Sequence, residues 1–278
     1  MSGFASLLKK KFSGKEDIVG MIDAELVQRK SYDFNNIKKS LRKLTKYAEL
    51  PDDEREEDEF MKLFFDFYLE MYAERARTKG VFHPSGINTA CERALFYEFT
   101  GEEESDEMMH RHSGQTLRTF DSGTWWHTYI QMLLWKAGIL EKSEVRIRSK
   151  RRKLSGHADG ILRLTKRTLL EIKTMNSFSF ARGKLKPFAT HEVQAGVYAT
   201  ELEIEQICFL YINKDTSEIC IHIVPVNKNL VAGAYDKMNT VLVAVKNDKL
   251  PKRTVCKTSS AAPAKVCAYC SLCFSTKF

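Results

Sequence analysis

The feature that most constrains this chain is a change of hydrophobic period near Leu140. Upstream, apolar residues recur every third or fourth position. Downstream, Val145, Ile147, Leu154, Ile161 and Leu164 move toward every second position. The first pattern belongs to amphipathic helices and the second to half-buried strands. Gly160-Ile-Leu-Arg-Leu, the turn candidate Thr165-Lys166-Arg167 and Thr168-Leu-Leu-Glu-Ile-Lys then read as a β-hairpin. Residues 191–202 predict a helix, 206–213 and 218–226 a further hairpin, and 230–245 a long amphipathic helix. Helices followed by hairpin, helix, hairpin and helix predict an α/β domain with a mixed central sheet flanked by helices.

The upstream half divides at Lys79-Gly80, with Pro84 and Gly86 close behind. Residues 1–80 are expected to form a helical N-terminal appendage. Their helical spacing shows in Ile18, Met21, Ile22 and Leu26, and again in Phe60, Leu63, Phe64, Phe67 and Met71. The acidic stretch 51–59 suits a helix start, where carboxylates meet the positive end of the helix dipole. Residues 81–278 are expected to form one domain. A helix is expected over 89–99, ended near Gly101, then a solvated acidic loop over 102–107. A second helix over 122–137 should bury Trp126, Tyr129, Ile130, Leu133 and Leu134. The tail from Pro251 reads as a loop ending in cysteines.

No apolar stretch in the 278 residues is long enough to span a bilayer. The short apolar patch at residues 4–8 precedes its lysines, whereas a secretory signal puts charge first. A cytoplasmic protein with no membrane partner is therefore expected. The net charge of +8 fits either simple solubility or a polyanionic partner.

Chemistry concentrates in Gly156-His157-Ala158-Asp159-Gly160 and Leu170-Glu171-Ile172-Lys173. Strand residues two apart share a face, so Glu171 and Lys173 point together while Ile172 turns to the core. Asp159 lies on the preceding strand, where a hairpin can bring its carboxylate beside that of Glu171. Two adjacent carboxylates repel, and a hard divalent cation such as Mg²⁺ or Mn²⁺ resolves the conflict. A neighbouring lysine would then orient a metal-activated water or stabilise charge on a phosphate. An ordinary surface hairpin of alternating charge carries the same pattern. His127, in Gly123-Thr-Trp-Trp-His127, is either a structural helix residue or a nitrogen ligand. Gln194 and Tyr198, four apart, share one helix face and can donate to phosphate.

Taken in order, Gly-x-x-x-His, Gly-His-x-Asp, Glu-x-Lys and Gln-x-x-x-Tyr resemble the RecB/Cas4 branch of the PD-(D/E)XK nucleases. The segment Ser85-Gly-Ile-Asn-Thr-Ala-Cys91-Glu-Arg-Ala-Leu-Phe-Tyr97 resembles the Cys-x-Arg-x-Leu-Tyr-Tyr helix that often opens that branch. The likeness spans about residues 83–278. It implies a restriction-endonuclease-like core and metal-dependent cleavage of DNA, more as an exonuclease than an endonuclease. The implied setting is phage or prokaryotic recombination, repair or replication, with a helicase, recombinase or single-strand-binding protein as conceivable partner. The resemblance assigns the metal to His127, Asp159, Glu171 and the main-chain carbonyl of Ile172. It makes Lys173 the catalytic lysine and has Gln194 and Tyr198 steady the lysine or the DNA. His157-Ala158-Asp159 stands where the family name has Pro-Asp, a common variation within the branch. The alternative is a non-catalytic DNA-binding or assembly subunit that keeps the fold and a structural metal site.

Seven cysteines are present, three of them in Cys267-Ala-Tyr-Cys270-Ser-Leu-Cys273. In a reducing compartment such crowding points to metal rather than disulfides. In iron–sulfur members of the branch, one cysteine precedes the core and three follow it. Cys91, Cys267, Cys270 and Cys273 match that order and would hold a [4Fe–4S] cluster, with Zn²⁺ as the alternative. The gap before the last cysteine is shorter than in the family, and Cys256 is near enough to replace one ligand. Cys208 and Cys220 fall in strands and receive no role. The basic run Arg146-Ile-Arg148-Ser-Lys150-Arg151-Arg152-Lys153 is either a solvated loop or a phosphate grip. Arg182, Lys184 and Lys186 form a second candidate. Trp125, Trp126 and Phe180 are candidates for stacking on bases, although packing suits Trp126 better.

Overall fold

The computed structural model describes residues 33–71, 78–87, 90–102 and 114–275. The apolar patch at 4–8, the first helical pattern and the acidic run from residue 103 lie outside them. The chain divides into two compact units, residues 1–78 with 113–117, and residues 79–112 with 118–278.

In the first unit, α1 (Phe34–Ala48) and α2 (Glu57–Met71) pack on each other across a 3-10 turn at Asp52–Glu54. Asp33 caps α1 by accepting from Asn35 N at 2.9 Å. Glu57, Asp58 and Glu59 fill the first turn of α2, where the dipole favours them.

The second unit is built on five strands: β1 (Leu140–Ser149), β2 (Leu154–Arg163), β3 (Arg167–Met175), β4 (Gln206–Asn213) and β5 (Ile219–Pro225). They lie in that order across one sheet. All neighbours are antiparallel except β3 and β4, which are parallel, so the sheet is mixed. The parallel step needs a crossover. It is supplied by α6 (Ser177–Gly183) and α7 (Ala189–Glu201). Before the sheet come α3 (Pro84–Ile87), α4 (Glu92–Thr100) and α5 (Gly114–Lys136); after it come α8 (Lys228–Lys246), α9 (Ala262–Lys265) and α10 (Cys270–Ser275).

Helices cover both sheet faces. On one, Leu95, Val193, Val197 and Val241 of α4, α7 and α8 pack on Ile147, Leu154, Leu169 and Phe209. On the other, Ile130 of α5 packs on Leu162, Leu170, Ile172 and Leu210, with Trp126 and Leu134 beside it. The central strands are buried on both sides, which is why Leu169-Leu170 and residues 207–212 of β4 read as unbroken apolar runs.

Three expectations need correction. The helix expected over 122–137 begins eight residues earlier, because Gln115 to Asp121 continue the helix without an apolar stripe to announce it. Tyr129 and Leu133 remain exposed on α5, so its buried face is narrower than the spacing suggests. The tail holds the short helices α9 and α10 rather than loop alone.

Candidate active site and cysteine cavity

The site candidates gather where β2 and β3 part. Their ladder runs from Arg163↔Arg167 to Gly160↔Leu170 and stops. One step further the register would set Asp159 opposite Glu171. There the Asp159 side chain takes the place of the next ladder bond, its Oδ2 accepting from Ile172 N at 2.6 Å. The other oxygen, Oδ1, lies 3.2 Å from His127 Nδ1 on α5. Ile172 is fully buried in the α5-side core, so Glu171 and Lys173 project to the α7 side. Groups from both sheet faces therefore meet through the opening between two strands.

Lys173 Nζ stands 2.6 Å from Glu171 Oε1. At that distance the ammonium is both the counter-charge and the hydrogen-bond partner of this buried carboxylate. Glu171 is 1% exposed. Burial first, and then the Asp159 charge, push its carboxyl up to about 7 against the pull of Lys173. Burial opposes the charge on Lys173, yet Glu171 and Asp159 overcome it and raise the ammonium pKa. His127 behaves alike: burial lowers it, and the hydrogen bond and charge of Asp159 outweigh that and raise it.

The motif glycines have steric work to do. A Cβ on Gly156 would stand 2.6 Å from the Tyr198 hydroxyl and 2.7 Å from its ring. Only glycine lets α7 lay this tyrosine on β2. Tyr198 is buried, and its hydroxyl interacts with the His157 backbone and the Gln194 side chain. Its phenol pKa is raised, by burial first and then by Glu171 and Asp159. A Cβ on Gly123 would reach 3.4 Å from Thr174 Oγ1, so α5 approaches β3 closely one turn before His127. Gln131, one turn after His127, donates to the Asp159 carbonyl at 2.8 Å and to Glu144 Oε1 at 3.0 Å. Sequence reading missed both partners. The four-residue step from His127 was the signal for Gln131, whereas Glu144 carries none, since its place depends on a left-handed backbone at φ 48°.

The cysteines converge differently. Cys91, Cys256, Cys267, Cys270 and Cys273 line one cavity with Arg93, Tyr97 and Tyr269. Cys91 caps α4, its sulfur accepting from Ala94 N at 3.5 Å. The buried Arg93 ties α4 to the tail: Nε donates to the Pro251 carbonyl at 2.8 Å, and Nη1 reaches the Cys273 carbonyl at 3.5 Å. Tyr97 and Tyr269 rings meet at 5.5 Å. Burial and then the neighbouring cysteines raise the Cys256 thiol. Among the described residues, neither these thiols nor the acidic group forms a closed cage of three or more metal donors. Cys208 is buried in β4 with its thiol pushed up to about 11 by burial, as a core cysteine would be.

Of the stacking candidates, Trp125 is half-exposed, Trp126 packs against the α5-side core, and Phe180 is 2% exposed and so closed to bases. Among the described residues no helix is long and apolar enough to cross a membrane.

No protein-family model matches the chain, and no curated protein matches its sequence. Solved structures resemble it at low identity. SSO0001 is 17% identical with a TM-score of 0.46, over 73% of this chain and 90% of that one. An alkaline exonuclease (LHK-Exo) from Laribacter hongkongensis is 16% identical with a TM-score of 0.45, over 61% and 89%. The same enzyme in complex with dAMP matches equally. Neither the identity nor the superposition is high enough to transfer an activity or a residue role.

Proposed function

We propose that residues 81–278 form a PD-(D/E)XK nuclease domain of the RecB/Cas4-like branch, which hydrolyses DNA with Mg²⁺ or Mn²⁺, acting from ends as an exonuclease. Residues 1–80 are its helical appendage. The observation that carries this reading is the strand opening, where Asp159 joins His127 to the Ile172 amide and Glu171 sits against Lys173.

The donor set suits a hard cation, with one imidazole and two carboxylates. The Glu171 carboxyl fits it too, since burial and the neighbouring Asp159 charge raise its pKa and a bound cation would stabilise its charged form. Bound by His127, Asp159, Glu171 and the Ile172 carbonyl, the ion would polarise the phosphate and acidify a bound water. The chain's own groups do the rest. Lys173 holds its ammonium beside the phosphate, steadies the attacking water and offsets the charge that builds as the phosphorus–oxygen bond breaks. His127 and Gln131 fix Asp159 from its side chain and its carbonyl. Gln194 and Tyr198 act from α7 on the strand that carries Asp159, since Tyr198 is buried against Gly156.

The cysteine cavity is read as the seat of a [4Fe–4S] cluster on Cys91, Cys267, Cys270 and Cys273, with zinc as the alternative and Cys256 as a possible replacement ligand. All five thiols line one cavity, and sulfur donors suit either group. Iron, sulfide and zinc analysis of anaerobically purified protein decides between them.

The nuclease reading is tested with end-labelled linear DNA, single- and double-stranded, in Mg²⁺ or Mn²⁺. Wild type is expected to degrade it, and Lys173→Ala to lose roughly 10²–10³ in rate, the scale of a lost transition-state contact. Equal degradation by both proteins would remove the mechanism.

A further inference from the structure

The basic run over residues 146–153 looks like one patch in sequence, but the fold splits it. Arg152 is committed within the protein: its Nε pairs with Glu201 Oε1 at 2.8 Å and its guanidinium lies 3.8 Å over the Tyr235 ring. Tyr235 in turn donates to the same Glu201 oxygen at 3.0 Å. Arg152 thus anchors the β1–β2 turn to α7 and α8.

Arg146 and Arg148 are placed otherwise. The β1–β2 register is regular here, pairing Arg148 with Ser155 and Arg146 with His157. Ile147, Leu154 and Ala158 face the α7-side core, with Val145 packed against it, and Gly156 meets Tyr198 on that side. Alternation then turns Arg146, Arg148, Ser155, His157 and Asp159 to the opposite face, the one where His127 meets Asp159. Both arginines are exposed, and neither has a carboxylate partner among the described residues. Glu144, the nearest acid along β1, is engaged by Gln131. The two arginines therefore form a single file, stepping by about 6.8 Å along the strand, that ends at Asp159.

We propose that this file is a track for one DNA strand, with Arg148 and Arg146 gripping successive phosphates and delivering the next to the Asp159–Glu171 opening. A row one side chain wide meets one backbone, so a single strand, or the strand being cut at a frayed end, is the substrate it fits. Phosphate contacts of this kind position a strand without reading its sequence. The proposal deepens the nuclease reading and rests on it for the word substrate, but its binding arm stands apart.

The experiment compares wild type, Arg146→Gln/Arg148→Gln, and a charge-matched control, Arg163→Gln/Lys166→Gln, at the β2–β3 turn beyond the far end of β2. Binding of a labelled single-stranded oligonucleotide is measured in EDTA across a salt series, and cleavage is measured separately in Mn²⁺. The track variant is expected to bind roughly tenfold more weakly at low salt, with its salt slope reduced by roughly 1.4 for two lost single-strand contacts. Its cleavage of single strands should fall in step, and the control should match wild type in both assays. If the track variant binds and cuts like wild type, or if the control weakens binding as much, the track is wrong and the nuclease reading stands. If wild type cuts nothing yet binding still depends on Arg146 and Arg148, the nuclease reading fails and the track survives. Weakened binding of RNA but not of DNA would overturn the proposal.

Discussion

The acidic opening and the cysteine cavity both gather residues from distant parts of the chain, but they are held by different means. Asp159 sits on a strand held by β1, and Glu171 and Lys173 on a strand held by β4, so the regular ladders on the two outer sides leave them little freedom. Their contacts are short, 2.6 Å from Asp159 to the Ile172 amide and 2.6 Å from Lys173 to Glu171. The cysteines sit on a helix cap, a coil and two short turns of helix, joined chiefly by Arg93 and by the Tyr97–Tyr269 contact. Strand geometry sets the first site before any ligand arrives. The second is a set of thiols around a cavity, whose final arrangement would be fixed by the cluster or zinc proposed there. A change in the first should therefore strike chemistry, and a change in the second stability.

The strongest way to break that contrast is to remove Asp159. Asp159→Ala deletes the acceptor for Ile172 N and the partner of His127, and Lys173 keeps only Glu171. Cleavage should fall by roughly 10²–10³ or more, again the scale of a lost transition-state group. The protein should remain folded, since the two cores are untouched. A variant retaining most of the wild-type rate would mean the opening is not where chemistry occurs.

Next comes Arg93→Gln. The side chain is 2% exposed and its donors go to tail carbonyls. Losing charge-assisted bonds to these carbonyls should cost about 1.5–3 kcal/mol. Thermal unfolding should report the loss, and limited proteolysis should cut sooner in residues 250–275. The cleavage rate of the protein that stays folded should barely change. An unaltered midpoint would show that the tail is held by something other than Arg93.

Much of the acidic site was legible because strand alternation is a strict rule. It placed Glu171 and Lys173 on one face and Ile172 in the core, as found. The end of the ladder at Gly160 was not legible, since nothing in Gly-His-x-Asp says that the strands part there. Gln131 offered only its four-residue step from His127, because a helical glutamine has no chemistry until a carbonyl is beside it. The first turns of α5 and the helices of the tail escaped notice for lack of an apolar stripe. Charge runs were the least legible of all. Residues 146–153 are basic at every position but Ile147 and Ser149, and only the fold separates the buttressed Arg152 from the outward Arg146 and Arg148.

Gly156→Ala probes the same strand more gently. The added methyl meets the Tyr198 hydroxyl and ring at 2.6 and 2.7 Å, so helix, strand or ring must move. Overpacking of this kind costs about 1–3 kcal/mol, readable by denaturant titration. Because Asp159 lies three residues on, cleavage should fall as well, unlike in Arg93→Gln. Combining Gly156→Ala with Tyr198→Ala should recover part of the stability. Strict additivity of the two losses would show that the glycine is not there to admit the tyrosine.

The smallest expected effect measures how far the field of the opening extends. His191 on α7 accepts or donates at 2.9 Å with the Tyr211 hydroxyl, and its pKa is lowered to about 4, by burial first and then by the Lys173 charge. An unfolded chain protonates this histidine near its ordinary value of about 6.5. Between those values the unfolded state binds more protons, so stability rises with pH there. The contribution is full above the unfolded value and is lost as pH falls toward the folded one. Imidazole resonances followed by NMR should show His191 neutral down to about pH 4. In Lys173→Ala the repulsive charge is gone, and the titration should move up while burial still holds it below the ordinary value. Mutations at the cysteine cavity should leave it where it is. A His191 that titrates normally in the wild type, or that ignores Lys173, would mean the ammonium is screened at this distance, and that the opening is more open to water than its buried carboxylate implies.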